Sequence, residues 1–144
     1  MASNINIKTI KVTKKKFFIY WLQFLKPYHK LRDKEIEMLA HFLVVRDELS
    51  SKIKDESLID DMLFSKNIKD DIKKKMNYSS HQVFNNMLSS LRNKGVIING
   101  RINQGLIPKL NDKKDNFKLI FNFNIVNEAG QPTKENSKRA KLKV

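Results

Sequence analysis

The sequence predicts an α+β domain in which helices come first and a β-ribbon follows, with an extra aromatic helix at the N-terminal end. Three observations carry this. Apolar residues recur three and four apart from Phe17 to Leu91, the period of a helix face. Beyond Gly95 the period drops to two, as in a strand with one buried side. The chain has 144 residues, 40% of them hydrophobic, so it is the size of one domain and can bury a core.

Residues 1–13, with Ile5, Ile7, Ile10 and Val12 among polar neighbours, read as an extended basic arm. Lys14, Lys15 and Lys16 lead into a helix from Phe17 to Leu25 that is expected to stop at Pro27. Phe17, Trp21 and Phe24 lie on one line, and Phe18, Leu22 and Leu25 repeat it alongside. Such a helix is apolar around much of its circumference, so Phe17, Phe18, Trp21, Leu22 and Leu25 are expected to face a deep core or a second copy in a homodimer. Aromatics beside a lysine run also suit base stacking, but packing is the stronger expectation.

The next helix shows Ile36, Leu39, Ala40, Leu43 and Val44 on one face and ends near Ser50–Ser51. Asp33, Glu35 and Glu37 stand in its first turns, where carboxylates suit the helix dipole. Leu58 to Phe64 supplies one or two helical turns carrying acids. Ile68, Ile72 and Met76, four apart, mark another helix, followed by a break at Asn77-Tyr78-Ser79. Ser80 is an N-cap for a helix from His81 to about Asn93 that buries Phe84, Leu88 and Leu91, with Gly95 as its left-handed stop.

After Gly95, Asn99-Gly100 between Val96–Ile98 and Arg101–Ile102 is a hairpin signal. Phe117, Leu119, Phe121, Phe123 and Ile125 alternate with polar residues and predict a strand. The tip of the main ribbon is either Asn99-Gly100 or the polar segment Asn111–Asn116, and Pro108 suits an edge. One domain over 14–127 and a disordered basic tail over 128–144 complete the layout.

Charge is the strongest functional signal. The chain holds 29 Lys and Arg against 15 Asp and Glu, a net +14. Residues 1–30 contain seven Lys and no acid, 31–71 are net acidic, and the rest is basic again. A concentrated cationic surface attracts polyanions and releases counterions when it meets phosphate. Lys, Asn and Ile are abundant, and their A/T-rich codons fit a low-GC bacterium, its plasmids or its phages. The absence of cysteine excludes disulfides, thiolate metal sites and a Cys nucleophile. The longest apolar run, Phe17 to Leu22, is too short to span a bilayer, and the first residues lack a signal-peptide layout, so a cytoplasmic location is expected.

Enzymatic patterns are weak. His29, His41 and His81 lack metal-ligand spacing and read as surface or capping residues. Asp60-Asp61 and Asp70-Asp71 are sequence neighbours that point apart on a helix, so they read as solvated charge. Four glycines form no phosphate-cradling loop. No catalytic residue, metal, cofactor or small-molecule ligand is therefore expected.

The run Ile72-x-x-x-Met76, a three-residue turn, then Ser80-x-x-x-Phe84-x-x-x-Leu88-x-x-Leu91-x-x-x-Gly95-Val96-Ile97 resembles the winged helix-turn-helix superfamily. Leu31-x-x-x-Glu35-x-x-x-Leu39 looks like the matching segment of MarR-type members, although Arg32 stands where such helices often carry a Ser or Thr cap. The resemblance spans about residues 31–125. It implies a double-stranded DNA partner, often a dimer on two half-sites, and a role as transcriptional regulator or as initiator of plasmid or phage replication.

The physical case for DNA stands beside it. An α-helix fits the major groove, where Asn and Gln pair bidentately with adenine. With Phe84, Leu88 and Leu91 inward, the outward face is Gln82, Asn85, Asn86, Ser89, Arg92 and Asn93. Tyr78, Ser79, Ser80 and His81 at the helix start suit phosphate contact. Lys73, Lys74 and Lys75 border the turn, and Arg101, Lys109, Lys113 and Lys114 line the wing. The alternative is a phage or mobile-element assembly or packaging protein that uses the same fold to dock other proteins.

Overall fold

The computed structural model describes residues 6–110 and 117–131. Two compact units are distinguished, Met1–Lys109 and Leu110–Val144, with the division falling inside the segment 14–127 that the sequence suggests is one domain. The first unit is mainly helical, with a small two-stranded antiparallel hairpin after six helices.

Helix α1 (Lys14–Phe24) starts at Thr13, whose hydroxyl accepts the Lys16 backbone N–H at 3.3 Å. It packs along the central helix α3 (Asp33–Ser50), burying Phe18 and Leu22 completely. Helix α1 ends at Phe24, ahead of Pro27, but the chain does not leave helical geometry there. It resumes as the single turn α2 (Lys26–His29), because a proline is tolerated in a helix's first turn, where its missing N–H has no partner to lose.

His29 then pins the corner. Its Nδ1 accepts the Leu31 N–H at 2.9 Å, so Nε2 carries the proton and donates to the Leu22 carbonyl at 2.6 Å. His29 is thus buried rather than on the surface, but it does cap backbone groups.

Helix α3 is covered on more sides than its apolar stripe requires: Glu35, Met38, His41, Phe42 and Arg46 are buried along with Ile36, Leu39, Ala40 and Leu43. Helices α4 (Glu56–Leu63) and α5 (Lys66–Lys75) pack against it. Asp55 caps α4 by accepting the Ser57 N–H at 3.0 Å.

Helix α5 ends in a Schellman arrangement. Asn77 sits at φ 58°, its N–H reaches the Lys74 carbonyl at 3.0 Å, and the Tyr78 N–H reaches Lys73 at 3.1 Å. Helix α6 (His81–Asn93) ends the same way: Gly95 lies at φ 76°, and the N–H groups of Gly95 and Val96 return to Arg92 and Leu91. Val96, now fully buried, delivers the chain into β1 (Ile97–Ile98).

Strand β1 pairs with β2 (Arg101–Ile102) in the register Ile97 to Ile102 and Ile98 to Arg101. Asn99 and Gly100 form the tip with φ of 53° and 74°, the left-handed pair that a two-residue type I′ turn needs. Of the two expected tips this is the one the described residues contain, since 111–116 lie outside them. Ile97 and Ile102 face the core, while Ile98 and Arg101 face out. A short 3-10 turn (Gln104–Leu106) follows, and its Leu106 carbonyl accepts the Trp21 indole N–H at 2.9 Å.

In the second unit, residues 117–125 form no strand, contrary to the sequence expectation. The alternation is present, but a strand exists only where a partner ladder runs beside it, and alternation within one segment does not supply that ladder. Of the side chains meant for a buried face, Phe117 is half-buried, while Phe123 and Ile125 lie open at 80% and 68% exposure. Residues 127–131 make a tight turn around the Asn127 side chain, which accepts the N–H groups of Ala129 and Gln131 at 3.0 and 2.9 Å. The expected tail beyond this turn, residues 132–144, lies outside the described residues, as does the start of the arm. Among the described residues no helix is long and apolar enough to cross a membrane.

Candidate nucleic-acid interface

Helix α6 is held at both ends and along one side. At its start the Ser80 hydroxyl accepts the Val83 N–H at 3.3 Å. Along its inner side Phe84, Leu88 and Leu91 are fully buried. At its end the carboxylate of Glu35, itself without solvent access, gathers donors from three directions. Lys94 Nζ lies 2.7 Å from Oε1, the Ser90 hydroxyl donates to Oε2 at 2.5 Å, and the Arg32 backbone N–H and Nε donate to Oε1 at 2.9 and 3.1 Å.

Burial alone pushes the Glu35 carboxyl up. The hydrogen bonds from Lys94, Ser90 and Arg32 outweigh it and hold the group down at about 2. The same carboxylate takes over the N-terminal backbone donor at Arg32, so α3 needs no Ser or Thr cap. The sequence marks Glu35 as a helix-start acid and as the middle of the Leu31-x-x-x-Glu35-x-x-x-Leu39 pattern, not as a buried group. Its place four before Leu39 and seven before Phe42 is the signal that puts it on a buried face.

The outward residues of α6 form one continuous polar surface. Gln82, Asn85, Asn86, Ser89, Arg92 and Asn93 are all exposed, as are Ser79, Ser80 and His81 at the start. Val83 is exposed among them, an apolar position that the amphipathic pattern does not single out. Tyr78 is half-buried, with its N–H used in the α5 cap and its hydroxyl 3.9 Å from Met87 Sδ, so two of its groups already have partners. Lys73 is half-buried, and Lys74 and Lys75 are exposed, with Lys75 3.1 Å from Asp71.

The hairpin residues divide. Lys109 is exposed, and Lys113 and Lys114 lie outside the described residues. Arg101 turns back onto α4: its guanidinium donates to Ser57 Oγ at 3.1 Å and stands 3.7 Å from Asp60 Oδ2. Asp60 is buried, not a solvated helix charge, and Arg46 Nε faces it at 3.9 Å. Desolvation pushes the Asp60 carboxyl up, with Arg46 and Arg101 pulling in the opposite direction. The reason is placement on the helix. Asp60 lies between Ile59 and Leu63 on the side of α4 that meets α3.

The α1 residues expected at a dimer contact also divide. Phe18 and Leu22 are buried in the protomer's own core and are unavailable to a partner, because α3 already covers them. Phe17, Trp21 and Leu25 are half-buried. His41, expected as a surface or capping residue, is buried on α3, with no hydrogen-bond partner for Nε2 among the described residues, whereas His81 is exposed. Among the described residues no cluster of three or more His, Asp or Glu side chains is arranged to hold a metal ion.

No protein-family model, curated protein sequence or solved structure matches the chain.

Proposed function

We propose that the protein binds double-stranded DNA in the manner of a winged helix-turn-helix domain, with α6 entering the major groove and the β1–β2 hairpin beside it as the wing. The observation that carries this reading is the division of α6 itself. Three apolar residues anchor it, Glu35 locks its end, and every other turn presents amide, hydroxyl or guanidinium groups outward. Thirteen residues give a rod about 20 Å long, a length the groove accommodates.

Each part has a chemical task. Asn85, Asn86 and Gln82 offer paired donors and acceptors to adenine edges, Arg92 to guanine, and Val83 an apolar contact for a thymine methyl. Lys74, Lys73 and the start of α6 contact phosphate and set register without reading sequence. Such binding serves a transcriptional regulator or an initiator of plasmid or phage replication. The net +14 charge supplies the salt-dependent part of the affinity.

The test is duplex binding over a salt series, using fragments flanking the coding sequence against random competitor. A fragment that survives competition supports the reading. Replacing Asn85 and Asn86 together by Ala is expected to cut discrimination roughly tenfold or more while leaving non-specific affinity in place. Equal binding of every fragment by both proteins overturns the groove assignment.

A further inference from the structure

The core of α1 uses Phe18 and Leu22, which leaves a second set of aromatics elsewhere on that helix and on α2. Tyr20, Phe24 and Tyr28 are 37%, 51% and 83% exposed. On α1 positions 16, 20 and 24 share one face, and Tyr28 follows at the same interval in α2. Lys16 heads the line, its ammonium 6.0 Å from the Tyr20 ring centroid. Successive positions on α1 rise by about 6 Å. At the far end a groove of about 510 Å³ opens beside Tyr28, lined by Leu25, Val96, Leu106 and Lys94 among others.

Charge selects the occupant. Residues 1–30 hold seven lysines and no acid. The acids that approach this stretch come from α3, where Asp47 pairs with Lys14 and Asp33 with Lys26. Two copies meeting through this face would bring like charges together, an unfavourable arrangement for a homodimer. A polyanion carrying flat apolar rings satisfies both features, since its phosphates meet the lysines and its bases meet the ring faces. In duplex DNA the base faces are already stacked on one another, so the partner is a single strand.

We propose that Lys16, Tyr20, Phe24 and Tyr28 form a stacking track for single-stranded DNA, separate from the duplex-reading helix α6. The choice of DNA over RNA rests on the duplex reading above, whereas the track itself does not. A protein that holds a duplex on one surface and an opened strand on another would suit a step in which DNA is locally melted.

Anisotropy of fluorescein-labelled dT20 with the full-length protein tests this. Tyr28→Ala and Tyr20→Ala are each expected to weaken dT20 binding about tenfold, the usual cost of removing one stacking partner, and Tyr28→Trp is expected to restore it. The weakening should persist at high salt, where the lysine contribution has faded. Replacing Asn85 and Asn86 by Ala should leave dT20 affinity unchanged, so the track and the α6 reading fail independently.

Four outcomes overturn the proposal. The first is failure of the wild-type protein to bind dT20. The second is that both Tyr→Ala variants bind as well as wild type while Lys16→Ala weakens binding, which makes the surface one of charge alone. The third is a dimer in sedimentation that Tyr28→Ala dissociates, which assigns the rings to a second copy. Tighter binding of rU20 than of dT20 is the fourth, and it overturns the choice of DNA.

Discussion

Two buried ionisable side chains on α3 both withdraw stability as pH falls, each in its own pH window. Glu35 is ionised in the folded protein down to about 2, against an ordinary value of 4.5. Its folded value is the lower one, so the stability it contributes is present above pH 4.5 and is lost as pH falls toward 2. Glu35→Gln keeps the shape but removes the charge facing Lys94, and is expected to cost about 3 kcal/mol, read as a lower urea midpoint. His41 is displaced downward by burial first, then by Lys15 of α1. Glu37 of its own helix and Asp71 of α5 favour its charged form, and Lys75 of α5 opposes it. The unfolded chain therefore takes up this proton before the folded one does, and stability declines as pH drops below about 6.5 until the folded form also protonates. His41→Asn should abolish that decline in melting experiments between about pH 7 and 5, leaving the Glu35 decline intact. Glu35 and His41 both escape a reading by residue type, because their burial depends on what packs against α3 from elsewhere in the chain.

At the scale of elements, α6 and the hairpin behave as one piece. Gly95 ends the helix at φ 76°, Val96 turns inward, and Asn103 closes the far side: its N–H meets the Val96 carbonyl at 2.8 Å and its side chain meets the Gly95 carbonyl at 3.2 Å. A Cβ at Gly95 would meet open space, so Gly95→Ala is limited by backbone strain alone. It is expected to cost about 1 kcal/mol, seen as a drop in melting temperature with no change in the far-UV spectrum. Local chemistry makes this stretch legible. Ser80 as cap, Phe84, Leu88 and Leu91 as stripe, Gly95 as stop and Asn99-Gly100 as turn each act within a few residues. The segment 117–125 departs from its pattern for the complementary reason, since alternation describes one strand but says nothing of a partner.

For the whole molecule, the uneven charge sets how binding responds to salt. The acids of 31–71 are partly consumed inside the fold, with Glu35 taken by Lys94 and Asp60 facing Arg46 and Arg101. The arginine of the hairpin is therefore held by the protein's own acid, and the lysines near the α5–α6 turn carry more of the proposed phosphate contact. Replacing Lys73 and Lys74 by Ala is expected to weaken all duplexes alike and to flatten the log–log salt slope by about two, roughly one for each phosphate no longer neutralised, in titrations between about 50 and 200 mM salt. An unchanged slope would remove these lysines from the interface.

The order of the longer helices, the cap and stop of α6, the Asn99-Gly100 turn signal and the polar face of α6 can be read from residues close together in the chain, since periodicity, capping and turn dihedrals are local. The single turn α2 and the caps at Thr13 and Asp55 are not among those readings. The three-dimensional packing assigned the rest. It sent Phe18 and Leu22 to the core and left Tyr20 and Tyr28 outside, buried Asp60 while Asp61 stays exposed, and joined Glu35 to Lys94 and Trp21 to Leu106. Those partners stand 59 and 85 residues apart, a distance over which neither period nor propensity carries information. A helix that is apolar on most sides offers several faces for burial, and the neighbouring helices decide which of them stays in water.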